Sequence, residues 1–208
     1  MPVVLFRGKG DKNIVAVWKI VESEETLLKI LPDDEQLTSN LKNYKNQSKR
    51  LEWLASRVLL YKFTGKNPLI EYNKYGQPFI RRLSRGISIT HTTGYAAISI
   101  TNSSINGIDI EIPSPRILRV AERFVHPDEF IYIPDNEKIN YYTLLWCAKE
   151  TMFKMLKRTG IIFNEELLIK PFKIENEGVL TCAELFKRER EFNLHYLKTS
   201  GFFLVWSD

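Results

Sequence analysis

Two stretches of helical periodicity, each bracketed by short segments of strand character, constrain the fold of this chain more than any other feature. From about Thr38 to Phe63 the residues Leu41, Tyr44, Leu51, Leu54, Val58 and Tyr61 recur at helical spacing. A second such stretch runs from about Glu137 to Lys157. Around the first lie VVLFRG and NIVAVWKI, a hairpin turning at Gly8, Gly10 and Asp11, and then LIEYN, PFI, GISIT and YAAISIT. Around the second lie GIDIE, LLIKPFKIE, GVLTCAEL, EFNLHYLK and FFLVWSD. Two shorter helices are expected: SEETLLKIL, capped by Ser23 and ended by Pro32, and a segment near Arg116 to Phe124 before a His-Pro-Asp turn. The pattern predicts an α+β chain in which each long helix packs on a mainly antiparallel sheet.

The polar run TNSSING, Thr101 to Gly107, is the natural boundary and suggests subdomains at 1–103 and 104–208. An internal echo links the halves. Trp53-Leu54-Ala55-Ser56-Arg57 parallels Trp146-Cys147-Ala148-Lys149-Glu150, and Thr64-Gly65 and Thr159-Gly160 follow them. The echo is either coincidence between two helices or the trace of a duplication that produced two similar α/β subdomains.

A chain of 208 residues can bury a substantial core as one domain or two small ones. Its charged share of 26% is that of a soluble globular protein. No apolar run approaches the roughly 20 residues of a membrane span, and no leader pattern opens the chain. Cys147 and Cys182 are too few for a disulfide framework, so a cytoplasmic location is expected. The formal net charge of +5 favours an anionic partner, whether nucleic acid, a phosphorylated small molecule or an acidic protein.

The segment NGIDIE carries the first chemical signal. On a strand, residues two apart share a face, about 6.5–7 Å between Cα atoms, so Asp109 and Glu111 project together while Ile108 and Ile110 enter the core. Two such carboxylates repel unless a cation lies between them, and by itself the pattern is in most cases that of a strand with one wet face. In LLWCAKETMFK, Glu150 and Lys154 are an i, i+4 pair among Trp146, Met152, Phe153 and Leu156. If Glu150 meets Asp109 and Glu111, three hard oxygen ligands gather, a set that suits Mg²⁺ rather than zinc. His91, between Thr90 and Thr92 where a strand breaks into a turn, reads either as a structural histidine or as part of an anion cradle.

Taken together, GIDIE (107–111), WCAKETMFK (146–154), THT (90–92) and GQP (76–78) resemble the signature blocks of the 4′-phosphopantetheinyl transferases. The likeness is to the long, single-chain, pseudo-twofold type. It extends over most of the chain, since EWLASR (52–57) and AERFVHPDEF (121–130) also fall where that family has similar segments. The resemblance implies transfer of the phosphopantetheine arm of coenzyme A to a serine of an apo acyl or peptidyl carrier protein, releasing adenosine 3′,5′-bisphosphate. It also implies that Asp109, Glu111 and Glu150 hold Mg²⁺, that Glu150 is the preferred base, and that Lys154 neutralises phosphate charge. Thr90 and His91 are then expected to contact phosphates of coenzyme A, and Gly76, Gln77 and Pro78 to line its adenine. Arg57, with Lys49 or Arg50, is the candidate for further phosphate contact. A monomer is implied too, because a duplicated chain supplies internally what short relatives build by assembly.

The chain departs from the family pattern at three places. Gln77 stands where Lys or Arg is usual, Thr90 replaces the commoner Ser, and LPDDEQLTSN does not align with the family's basic contacts before its first long helix. Two other readings compete. One is a non-catalytic relative that binds coenzyme A or a carrier protein. The other is a basic RNA-binding module, for which Tyr72, Tyr75 and Phe79 are the available strand aromatics.

Overall fold

The computed structural model describes residues 3–8, 13–81, 83–186 and 188–207. The chain divides into two compact units, Met1–Asn106 and Gly107–Asp208. Each is an antiparallel sheet packed with one long helix.

In the N-terminal unit, β1 (Val3–Gly8) and β2 (Ile14–Lys19) form the first hairpin, Gly8 pairing with Ile14. The expected turn residues Gly10 and Asp11 lie outside the described residues. Helices α1 (Glu24–Leu28), α2 (Glu35–Lys42) and α3 (Gln47–Thr64) follow, then the short strands β3 (Glu71–Tyr72) and β4 (Pro78–Phe79). A second hairpin, β5 (Gly86–Thr92) and β6 (Tyr95–Thr101), turns at Gly94, whose φ of 75° is a left-handed value that favours glycine. The main sheet has the order β1-β2-β6-β5, every neighbour antiparallel. Ser23 caps α1 as expected, its Oγ accepting from Thr26 N at 3.3 Å.

The first long helix is not continuous from Thr38. The chain stops at Lys42 and restarts at Gln47, because Asn46 caps α3 by accepting from Lys49 N at 3.2 Å. Arg50 seals the break. Its guanidinium donates to the carbonyls of Leu41 and Tyr44, at 3.3 and 3.5 Å, and pairs with Glu24. Nor does α3 have one apolar face: every residue from Glu52 to Leu60 is buried. A helix covered on all sides is held by tertiary packing rather than by propensity. Trp18, Leu27, Leu41, Leu54, Leu59, Ile98 and Ile100 fill the core around it.

The C-terminal unit opens with β7 (Ile108–Glu111). The helix expected near Arg116–Phe124 is instead a pair of 3₁₀ turns, Pro115–Arg119 and Ala121–Arg123. Leu118 and Val120 remain exposed there, so no apolar stripe rewards an α-helix. His126 then caps a further 3₁₀ turn, Pro127–Tyr132, in a capping box with Glu129. Helix α4 (Lys138–Met155) follows, then α5 (Phe163–Glu166) and the strands β8 (Leu167–Ile169), β9 (Glu177–Glu184), β10 (Arg190–Lys198) and β11 (Phe203–Ser207). The sheet order is β7-β11-β10-β9-β8, all antiparallel. Helix α4 lies on β7 and β11.

Candidate active site

The acidic face of β7 is the one that α4 covers. A Cβ on Gly107 would sit 2.4 Å from the carbonyl oxygen of Thr151, so only glycine lets the helix approach this closely. Two residues along, Asp109 Oδ1 accepts from Lys154 Nζ at 2.8 Å; two further, Glu111 Oε1 accepts from Trp146 Nε1 at 3.2 Å. Residues 107, 109 and 111 share a strand face, and 146, 150 and 154 share a helix row. The helix therefore runs back along the strand, with Glu150 between its two donor neighbours.

These contacts set aside the alternative of a strand with one wet face. Asp109 is 5% exposed, and Ile108 and Ile110 on the opposite face are fully buried. Lys154 also donates to the Ile108 carbonyl at 2.8 Å, so its ammonium is the cation that bears on the strand carboxylate. Burial pushes the Glu150 carboxyl above its ordinary value, the negative charge of Asp109 pushes it further, and Lys154 partly opposes both. Among the described residues no three His, Cys, Asp or Glu side chains gather closely enough to hold a metal ion. The donor set fits a hard divalent cation in kind: carboxylates on facing elements, two of which repel each other.

Sequence reasoning missed the neighbour of Glu150. Lys149 is fully buried and donates to Glu129 Oε2 at 2.8 Å and to the Phe124 carbonyl at 2.6 Å. Glu129, equally buried, also accepts from His126 N at 2.8 Å and Ile169 N at 2.7 Å. Desolvation pushes Glu129 up and Lys149 down, each opposed by the other's charge. One turn before Glu150, Trp146 lines an apolar pocket of about 530 Å³ with Phe124, Ile162 and Phe163, and Arg123 is its charged member.

In the N-terminal unit the other candidates fall into separate places. His91 Nδ1 lies 2.9 Å from Glu52 Oε2, a carboxylate only 2% exposed that also accepts from Lys49 Nζ at 2.7 Å and Ser48 Oγ at 3.1 Å. Glu52 was not legible as a partner of His91, since 39 residues separate them; a lone acid in the run LEWLAS was its only signal. Thr90 is buried, and because β5 is extended through Thr92 its side chain projects opposite to that of His91. Gly76, with φ 78°, Gln77 and Pro78 lie on the β3–β4 hairpin, where Asn73 Oδ1 accepts from Tyr75 N and Gln77 N. Arg50 is engaged with Glu24 and the carbonyls of Leu41 and Tyr44. Arg57, about 140° round α3 from Glu52, is 7% exposed and stacks on Trp53.

Residues 106–206 match the family described as the 4'-phosphopantetheinyl transferase superfamily. The chain is 31% identical over 94 residues to 4'-phosphopantetheinyl transferase gsp of Aneurinibacillus migulanus, a match covering 44% of this chain and 39% of that protein. It is also 31% identical over 86 residues to the 4'-phosphopantetheinyl transferase of Bacillus subtilis, covering 39% of this chain and 38% of that protein. The matched part thus spans less than half the length of these relatives. The C-terminal unit, which carries β7 and α4, is thus the part of the chain that matches the 4′-phosphopantetheinyl transferase superfamily.

Proposed function

We propose that the chain transfers the 4′-phosphopantetheine group of coenzyme A to a serine of an apo acyl or peptidyl carrier protein. The observation that carries this reading is the facing of Asp109 and Glu111 on β7 by the row Trp146, Glu150 and Lys154 on α4. Asp109, Glu111 and Glu150 would hold Mg²⁺, which when bound supplies Lewis-acid charge to the pyrophosphate. Glu150, whose burial and acidic neighbour raise its proton affinity, would take the proton of the attacking serine. Lys154 would offset negative charge on the phosphates as the leaving group departs. The pocket beside Trp146 suits the uncharged pantetheine arm. In the N-terminal unit, His91, its ring held through Nδ1 by Glu52, and Thr90 would contact phosphates of coenzyme A. Gly76, Gln77 and Pro78 would line the adenine, and Lys49 lies beside Glu52 as a further cation.

The test is incubation of the protein with coenzyme A, Mg²⁺ and a panel of apo carrier proteins, read by mass spectrometry. A Mg²⁺-dependent gain of one phosphopantetheine group, abolished by Glu150→Gln or Asp109→Ala in folded protein, is expected. A second reading, a non-catalytic relative that binds coenzyme A or a carrier protein, is favoured by Lys154 lying against Asp109. Tight coenzyme A binding with no mass gain on any carrier would support it instead.

A further inference from the structure

Two walls of the apolar pocket beside Trp146 converge, through their backbone, on the buried ammonium of Lys149. An ammonium has three donors, and this one makes three hydrogen bonds. They run to the Phe124 carbonyl at 2.6 Å, to Glu129 Oε2 at 2.8 Å and to the Phe163 carbonyl at 3.3 Å. Phe124 and Phe163 both line the pocket, and both rings meet the Trp146 indole, centres 5.2 and 5.8 Å away. One side chain of α4 thus fixes the backbone after the 3₁₀ turn Ala121–Arg123 and the first residue of α5.

Burying an ammonium is unfavourable unless its donors are satisfied, and a methionine would fill similar space without that penalty. What the lysine adds is direction, because charge-assisted bonds hold acceptors from separate segments at fixed separations. Glu129 fixes the ammonium in turn, its carboxylate accepting from His126 N at 2.8 Å and Ile169 N at 2.7 Å. A second bond joins the same two segments at the exposed side, where Asn164 Nδ2 donates to the Glu122 carbonyl at 3.0 Å. A gap of about 0.5–1 Å forfeits roughly a quarter to a half of a dispersion contact. The separation of the two walls therefore decides how well an uncharged chain is held between them.

We propose that Lys149 and Asn164 are positioning residues, which clamp the Phe124 and Phe163 segments and so set the width of the pocket for the uncharged arm of coenzyme A. The inference rests on the transferase reading for the identity of that arm. Neither side chain touches the ligand. Lys149 acts from the buried side and Asn164 from the rim, each through the wall it holds.

The experiment measures binding of coenzyme A, and of adenosine 3′,5′-bisphosphate, which lacks the arm, to the full chain by calorimetry at fixed Mg²⁺. Asn164→Ala is expected to weaken coenzyme A about fivefold or more and to leave the bisphosphate within about twofold. Lys149→Met should show the same pattern more strongly, and the exposed Asn164 variant carries the test if that protein does not fold. Phe163→Ala removes a wall outright and should weaken coenzyme A alone. General loosening of the fold would weaken both ligands alike. Equal weakening of both in Asn164→Ala, or no change in either, overturns the proposal, as does a wild-type chain that binds no coenzyme A. Carrier modification by the wild type is read separately. Its absence with this binding pattern intact sinks the transferase reading and leaves the clamp; its presence without the pattern sinks the clamp alone.

Discussion

Lys149 and Glu129, 20 residues apart in sequence, form an ion pair at 2.8 Å with both side chains fully buried. The pair ties α4 to the 3₁₀ turn that follows His126 and, through Ile169 N, to β8. Its neighbour Glu150 is turned about 100° round the helix, toward β7. One residue of the sequence Lys-Glu thus serves the core and the other the candidate site. Removing one partner of such a pair leaves an uncompensated charge, so Lys149→Met should cost about 3–5 kcal/mol in denaturant unfolding. An unchanged midpoint would show that the pair contributes nothing.

Gly107 sets how closely β7 approaches α4. An alanine there meets Thr151 O at 2.4 Å and Met155 Cγ at 2.9 Å. The strand must move off the helix, and a loss of about 1–3 kcal/mol is expected from overpacking of this kind. Thermal unfolding checks the stability effect. The same shift should lower carrier modification, because Asp109 and Glu150 ride on the two displaced elements.

The facing carboxylates and ammonium are separable by their effects. Glu150→Gln should lower carrier modification by about 10²-fold or more, the usual loss on removing a general base. Lys154→Gln keeps a donor near Asp109 but loses the charge, and should lower turnover by about 10²-fold. Circular dichroism should show both variants folded. Near-normal turnover in either would end its assigned role.

Glu52 is expected to be a positioning residue for His91. Glu52→Gln replaces a charge-assisted hydrogen bond by a neutral one, a loss of about 1.5 kcal/mol. That corresponds to a rise of roughly tenfold in KM for coenzyme A with kcat little changed. The His91 ring resonances in NMR should shift in the same variant. Resonances unchanged in position and titration would show that Glu52 does not hold the ring.

Acid should release one contact that fixes the break before α3. The hydrogen bond from Arg50, aided by its charge and opposed by desolvation, holds the Glu24 carboxyl below its ordinary value. A carboxylate with a depressed folded value contributes stability that is complete above its unfolded value and lost as pH falls through the folded one. Glu24→Gln should therefore lower the urea midpoint at pH 7, and the difference from wild type should shrink below pH 4.5. A difference that grows with acid would contradict the assignment.

The alternation of GIDIE and the helical spacing around WCAKETMFK were sufficient to place β7 and α4, because each depends on neighbours within one or two turns. Local rules failed where a side chain far along the chain intervened. The spacing from Thr38 to Phe63 continued through residues 43–46, yet the helix breaks there because Asn46 caps a new start and Arg50 takes the carbonyls of Leu41 and Tyr44. The family resemblance offers Lys49 or Arg50, beside Arg57, for phosphate contact. In the folded chain Arg50 is committed to Glu24 and Lys49 to Glu52.

By itself the sequence determined the α+β class, the antiparallel strands and the family resemblance, since periodicity and short motifs are properties of contiguous residues. Only the tertiary structure decided that the acidic face of β7 lies beneath α4 and that Glu52 holds His91. Those relations join residues 45 and 39 positions apart. They are fixed by which surfaces pack together, and no local pattern encodes that choice.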